Sequence, residues 1–332
     1  MIYIKKQALS TSGNSNELLT AYRYLKTTRT FDSKAIHLQR TGRLGTFPAS
    51  TGQEAIFVGI GLALQDNDIY CPYYRDQGAF ITRGVPMETI LAYWGGHESS
   101  LQHPSYRQDF PICVPIASQC LHAVGAAFAI DHQQRPDGVV CSLGDGATSK
   151  GDFYEAINAA GVFDCPVVFV INHNQWAISV PTSKQTNIKE LSQKAQAAGI
   201  VGISIDGNDV MAVKQTVQQA LKTKKPTLIE ATCYRHCDHT TADDASRYVD
   251  QHQQLSQKND PLDHIITQLN QSGVSKKMLD TIDHSVDQHV NQAVEQYLKM
   301  PPPNPDDLFD HTYQSLPADL IKQKKDCLKE FS

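Results

Sequence analysis

The order of apolar and polar positions along the chain alternates between two periods. Over residues 16–40, Leu18, Leu19, Tyr22 and Leu25 fall on one stripe, the spacing of an amphipathic helix. Gly42 and Gly45 end it. A second helix is predicted over 53–64, and residues 72–78 form a loop before helical sequence that runs to Trp94. Residues 95–112 hold Gly, His, Ser and Pro with little periodicity and read as irregular. Ala117, Cys120, Leu121, Val124 and Phe128 then fit a helix with small residues on its flanks.

From there the pattern alternates. Short apolar runs at 139–143, 166–171, 202–206 and 227–231 read as strands, and helices are predicted over 152–163 and 209–222. Asp152 with Glu155 three residues on is the signature of a reciprocal helix cap. Apolar strands separated by helices imply a mostly parallel sheet covered on both faces, an α/β fold. The tail differs: residues 255–300 are Gln- and Lys-rich and helical, the proline run 301–305 stops them, and a last helix is predicted over 318–331. The expected organisation is a loose arm at 1–14, an α/β domain at 15–250 and a helical C-terminal extension at 251–332. There is no internal repeat.

Composition narrows the class. Hydrophobic residues are 40% and charged residues 20% of the 332, enough for a sizeable core and unlike a disordered or fibrous chain. A net charge of −5 gives no basic surface for nucleic acid or acidic membrane. No apolar stretch approaches the ~18–20 residues of a membrane helix. The first residues lack the apolar core of a signal peptide and the Arg-rich pattern of a transit peptide, so a cytoplasmic setting is expected. The eight cysteines are scattered, several within apolar runs, which suits buried hydrophobes better than a disulfide framework.

Two segments carry chemistry. In Leu143-Gly144-Asp145-Gly146-Ala147, Asp145 follows one predicted strand. In Asn172-His173-Asn174-Gln175-Trp176, Asn174 follows the next, after a helical crossover. Both therefore leave the carboxyl edge of the sheet, where ligands of open α/β sheets collect. Mg²⁺ takes hard oxygen donors and one or two protein groups beside phosphate oxygens. Asp145, the Asn174 amide oxygen and the Trp176 carbonyl suit that role. Gly144 and Gly146 keep the backbone bare for phosphates, with the Gly146 and Ala147 amides towards anionic oxygen. Gly-Asp-Gly alone is also a common turn; the placement of Asn174 is what favours the metal diphosphate. No GxGxxG follows a strand, which argues against a nicotinamide site.

With Gly151-Asp152-Phe153-Tyr154-Glu155-Ala156, Trp176-Ala177-Ile178-Ser179-Val180-Pro181, Gly52-Gln53-Glu54-Ala55, Tyr74-Arg75-Asp76 and Ala117-Ser118-Gln119, the chain resembles the α subunits of thiamine-diphosphate-dependent 2-oxo acid dehydrogenases over nearly its whole length. The resemblance implies the thiamine-diphosphate-binding fold, with Mg²⁺ held by Asp145, Asn174 and the Trp176 carbonyl. It places Tyr74 and Arg75 at the diphosphate with Gly146 and Ala147, Ile116 beneath the aminopyrimidine, and Arg235 and His239 on a loop over the cofactor. The implied reaction is oxidative decarboxylation of a 2-oxo acid, with transfer of the acyl unit to the lipoyl group of a partner acyltransferase. Pyruvate is the first choice of substrate, then a branched-chain 2-oxo acid, then acetoin. A separate β subunit is expected to supply the Glu that activates the cofactor, in an α2β2 heterotetramer. Two positions depart from the pattern. His173 stands before Asn174 where many relatives have a second Asn, and Pro48 stands where a pyruvate-specific relative can show His.

The segment 233–248 reads as a mobile active-site loop. His239 is the expected catalytic residue, titrating near neutrality. Cys233, His236, Cys237 and His239 allow a zinc reading, though their spacing is not that of a common structural site. A solvated loop is the plain alternative. Thr240, Thr241 and Ser246 sit where some relatives are phosphorylated. His97, His103 and His122 are read as structural. A rival from another class is a non-catalytic phosphate-binding or assembly protein on the same fold.

Overall fold

The computed structural model describes residues 14–249, 259–310 and 312–330. The arm expected over 1–14 lies outside them except for Asn14, as does the boundary expected at 250–251. The chain opens with α1 (Ser15–Arg40), whose Asn16 amide donates to the side chain of Asn14, and α2 (Glu54–Ala63). β1 (Ile69–Cys71), α3 (Gln77–Thr82) and α4 (Met87–Trp94) follow. Then come α5 (Ser118–His132), β2 (Val139–Gly144), α6 (Gly151–Phe163) and β3 (Val167–His173). A small hairpin, β4 (Trp176–Ala177) and β5 (Val180–Pro181), precedes β6 (Val201–Asp206), α7 (Val210–Thr223) and β7 (Thr227–Thr232). The tail holds α8 (Pro261–Gln271), α9 (Lys276–Leu298), the single turn α10 (Asp307–Asp310) and α11 (Ala318–Glu330).

Five strands form one parallel sheet in the order β1-β2-β3-β7-β6. Every residue of β3 is buried, as a strand covered on both faces requires. One core lies between the sheet and α1, α2, α3, α4 and α7; the other lies under α5, α6 and the turn Leu191–Ala198. The expected parallel sheet and flanking helices are therefore present. α8 and α9 pack into the first core through Ile265, Leu269, Ile282, Val286 and Val290. Polar ties reinforce them: the Tyr22 hydroxyl donates to Asp283 at 2.7 Å, and Arg29 forks onto Asp260 at 3.0 and 3.1 Å.

Some expectations need correction. α6 begins one residue early, with Lys150 at its cap position and no side-chain cap bond. Asp152 sits inside the first turn instead, where its charge still favours the helix dipole. Leu121 and Phe128, part of the apolar pattern that marked α5, are 41% and 48% exposed; Cys120, Val124 and Ala127 form the buried stripe. β1 and the β4–β5 hairpin were not expected, because runs of two or three residues give no usable period.

Edge strand β1 is anchored by charge. Arg83 on the far side of α3 forks onto Asp109 at 2.6 and 2.9 Å, and Asp109 accepts the Tyr70 amide at 2.9 Å. Both side chains are nearly inaccessible. Replacing Arg83 by Met leaves a buried carboxylate without its cation, which should cost about 3–5 kcal/mol. A urea titration reads this as a lower midpoint, and adding Asp109→Asn should recover part of it.

Candidate active site

Parallel pairing sets Gly144 of β2 level with Asn172 of β3. Asp145 follows Gly144 directly, and Asn174 follows the end of β3. Both leave the carboxyl edge and line one cavity of about 550 Å³. Tyr74, Arg75, Ile116, Gly146, Ala147, Trp176 and His239 line it too. Arg235 does not, but it bonds to His239 from behind. Ile116 is 43% exposed. Pro48 is part of the wall, its carbonyl held by the Gln77 amide at 3.0 Å.

Asp145 is 2% exposed. Thr182 donates to its Oδ2 at 2.8 Å. Burial raises its pKa against the opposing pull of His173, the Thr182 hydroxyl and the Gly146 amide. A buried carboxylate with hydroxyl and amide donors, and no cation bonded to it, is a place for a positive ion. Asn174 is oriented by its neighbours. Its Nδ2 donates to Gln53 Oε1 at 2.7 Å, and its Oδ1 accepts the Trp176 amide at 3.0 Å. One Oδ1 lone pair therefore remains on the side away from Gln53. Gln53 also receives Asn172 Nδ2 at 2.8 Å, which ties the end of β3 to the start of α2. Gly146 is required by packing as well as by any ligand: a Cβ there would lie 2.6 Å from that of Ala177. Gly144 has room.

The second half of the site is cationic. Arg75 is 1% exposed and runs over the Tyr74 ring at 5.4 Å. It donates to the Ala49 carbonyl at 2.6 Å and the His239 carbonyl at 2.9 Å. Arg235 donates to the carbonyls of Cys237 and Ile178, both at 3.1 Å, and to the Tyr248 hydroxyl at 2.9 Å. Each guanidinium also stands 3.2 Å from His239 Nδ1. Guanidinium only donates, so Nδ1 must accept, which puts the proton of the neutral ring on Nε2. Burial and then the two arginines push the His239 pKa from 6.5 down to about 3. The expectation that His239 titrates near neutrality is corrected: here it is a neutral Nε2–H donor.

The loop itself is tied at several points. The His239 amide donates to Asp243 at 2.9 Å, the Ala245 amide to Asp238 at 2.9 Å, and the Thr241 amide to the Phe47 carbonyl at 3.0 Å. The zinc reading fails on geometry: among the described residues no three His, Cys, Asp or Glu side chains gather as a metal site. Burial pushes the Cys233 and Cys237 thiols up, Cys237 to about 12. His97, His103 and His122 are outside the cavity. Gln53, Thr182 and Glu230 were not singled out in the sequence. Gln53 lies in a segment noted for its resemblance; nothing local marked Thr182 or Glu230, which act through contacts distant in the chain.

Residues 22–306 match the family model described as the dehydrogenase E1 component. The chain is 35% identical over 321 residues to the pyruvate dehydrogenase E1 component subunit alpha of Mycoplasma genitalium, covering 95% of this chain and 90% of that one. It is 36% identical over 321 residues to the 3-methyl-2-oxobutanoate dehydrogenase subunit alpha of Mycobacterium tuberculosis, covering 94% and 86%. To the mitochondrial 2-oxoisovalerate dehydrogenase subunit alpha of Homo sapiens it is 33% identical over 329 residues, covering 93% and 73%.

The depressed His239 pKa fixes a pH dependence. Below pH 6.5 the unfolded chain takes up a proton at this residue that the folded chain refuses until about pH 3. Its contribution is therefore complete above 6.5 and is lost as pH falls through that window. Urea midpoints at pH 7.5 and 5 should show a smaller drop for His239→Gln than for the wild type; equal drops would contradict the neutral state of His239 at pH 5.

Proposed function

We propose a specific role from one premise: this chain belongs to the dehydrogenase E1 component family and is an α subunit of a 2-oxo acid dehydrogenase. The family implies thiamine diphosphate, and the residues present fit that group. Arg75 and Arg235 bond to carbonyls, a phenol and an imidazole, with no carboxylate among those partners. Buried cations so placed suit a diphosphate. Asp145 lacks a cation, and its neighbour Asn174 offers an amide oxygen. A magnesium ion with a diphosphate meets both needs at once, since Mg²⁺ is usually held by one or two protein groups beside phosphate oxygens. The single observation that carries the reading is this pairing, on one sheet edge, of an anion-seeking arginine pair with a cation-seeking carboxylate.

In the proposed arrangement Asp145, Asn174 and the Trp176 carbonyl hold Mg²⁺, and Gly146, Ala147, Tyr74, Arg75 and Arg235 hold the diphosphate. Ile116 supports the ring system from its exposed position on the cavity wall. When bound, the cofactor supplies an electron sink for decarboxylation of the 2-oxo acid. The protein binds, orients and shields it. His239 donates its Nε2 proton as a hydrogen bond to a substrate or acyl oxygen, a role open to a neutral imidazole.

The substrate we favour is pyruvate, supported by the names of the Mycoplasma genitalium and Mycoplasma pneumoniae relatives, the latter 34% identical over 324 residues. A branched-chain 2-oxo acid is the second reading, favoured by the Mycobacterium tuberculosis relative at similar identity. A β subunit completes the site in an α2β2 assembly, and a lipoyl-bearing acyltransferase accepts the acyl unit. In support, Leu121, Phe128, Tyr154, Val162 and Phe163 leave an exposed apolar face on α5 and α6. No helix among the described residues is long and apolar enough to cross a membrane.

Thiamine diphosphate with Mg²⁺, at a hundredfold excess over its Kd, should stabilise the complex of this chain with its β subunit by about 2.7 kcal/mol. EDTA should remove the gain, and Asp145→Ala should never show it; a gain indifferent to EDTA would contradict the metal assignment. His239→Ala should keep this binding yet lower acyl transfer by about two to four orders of magnitude. Loss of both together would make the loop structural.

A further inference from the structure

The Asp145 carboxylate is the last link of a chain of contacts that begins deep in the sheet. Glu230 lies inside β7, level with Ile171 of β3, and is buried. Its Oε2 accepts the Ser192 amide at 3.0 Å, and its Oε1 lies 2.7 Å from His173 Nδ1. Burial alone would raise the Glu230 pKa; the His173 and Ser192 bonds hold it below the usual range, so it is an ionised acceptor. His173 is the last residue of β3, so its backbone is fixed by the sheet. Its other nitrogen, Nε2, faces Thr182 Oγ1 at 3.3 Å, and with the hydroxyl proton directed at Asp145 it is Nε2 that donates and Oγ1 that accepts. The Thr182 hydroxyl has one proton, and the 2.8 Å contact to Asp145 Oδ2 takes it. The Thr182 amide donates to the Gln175 carbonyl at 3.0 Å, which fixes the backbone that carries the hydroxyl.

Glu230, His173, Thr182 and Asp145 thus form a line from an immobile strand to the sheet edge. Partners behind a metal ligand fix its orientation, and their loss typically costs about 10- to 100-fold in metal affinity. We propose that His173, anchored on Glu230, is a positioning residue that sets the Asp145 carboxylate for the metal through the Thr182 hydroxyl. The inference rests on the metal–diphosphate reading above. Asn at 173 could keep the Glu230 contact, because its amide nitrogen occupies roughly the place of Nδ1, but it is too short to reach Thr182. His at this position therefore extends the support of Asp145 by one link.

The test uses the chain assembled with its β subunit and measures the Mg²⁺ Kd at saturating thiamine diphosphate. Thr182→Val should weaken Mg²⁺ by about 10- to 100-fold. Thr182→Ser, which keeps the hydroxyl, should restore it to within about threefold. His173→Asn should weaken it too, and the His173→Asn/Thr182→Val double variant should be no worse than Thr182→Val alone, since one line is already cut. Unchanged affinity in Thr182→Val, no rescue by Ser, or losses that multiply in the double variant would overturn the proposal. A second arm needs no metal: in the ¹⁵N-histidine-labelled free chain, Thr182→Val should move the His173 Nε2 resonance and Glu230→Gln the Nδ1 resonance. If the wild-type complex binds no thiamine diphosphate with Mg²⁺, the functional reading fails, and this arm still decides the link; an unmoved Nε2 resonance would overturn it.

Discussion

Parallel strands β2 and β3 run in register, with Gly144 beside Asn172, and the position of every reacting group depends on that pairing. A slip of one residue would turn each side chain of a strand to the opposite face. The slip is prevented by burial on both faces and by one polar residue that must be satisfied. Asn172, inside β3, donates to Gln53 at 2.8 Å and to the Tyr73 hydroxyl at 2.6 Å, and accepts the Cys233 thiol at 3.0 Å. Any other register would strand this amide in the core, at the cost of an unpaired buried polar group. The same residue that locks the strands therefore fixes the edge where Asp145 and Asn174 emerge.

The charges at that edge are unbalanced in a complementary way. Arg75 and Arg235 approach one imidazole nitrogen at 3.2 Å each. Two like charges converge there with only neutral acceptors between them, an arrangement held by the carbonyls of Ala49, Cys237, Ile178 and His239. Around the cavity from them, Asp145 is a buried carboxylate without a bonded cation. Neither feature stabilises the free chain. A ligand carrying negative oxygens and a divalent ion relieves both, and because the groups are already fixed, little ordering is needed on binding. The neutral state of His239 follows from burial together with the same convergence: the arginines proposed to hold the diphosphate also oppose a further positive charge on the imidazole.

Much of this was legible in the sequence, for reasons that can be named. The apolar runs at 139–143 and 166–171 announced buried parallel strands, and the spacing of Asp145 and Asn174 from their ends put both at one edge. Tyr74, Arg75, Ile116, Arg235 and His239 were reached through the family resemblance; all but Arg235 line the cavity, and Arg235 stands behind it against His239. What escaped was set by tertiary context. The exposed positions of Leu121 and Phe128 cannot be told from core by spacing, because an apolar face left to solvent repeats with the same period as a buried one. The Asp152 cap failed because the extended cap residue is Lys150, two residues earlier. The titration of His239 depends on its burial and then on two arginines, one of them far off in the chain. Thr182 and Glu230 have no local signature at all; their roles exist only once β3, β7 and the 182 turn are brought together.

The central claim is that Asp145 and Asn174 share one divalent ion that a diphosphate also binds. Mn²⁺ in place of Mg²⁺ makes this countable, because the six-line EPR signal of free Mn²⁺ disappears on binding. The account predicts one tightly held Mn²⁺ per chain in the αβ complex, only when thiamine diphosphate is present. That ion should be lost alike in Asp145→Ala and Asn174→Ala. Tight Mn²⁺ binding that persists in either variant, or that needs no diphosphate, would contradict it.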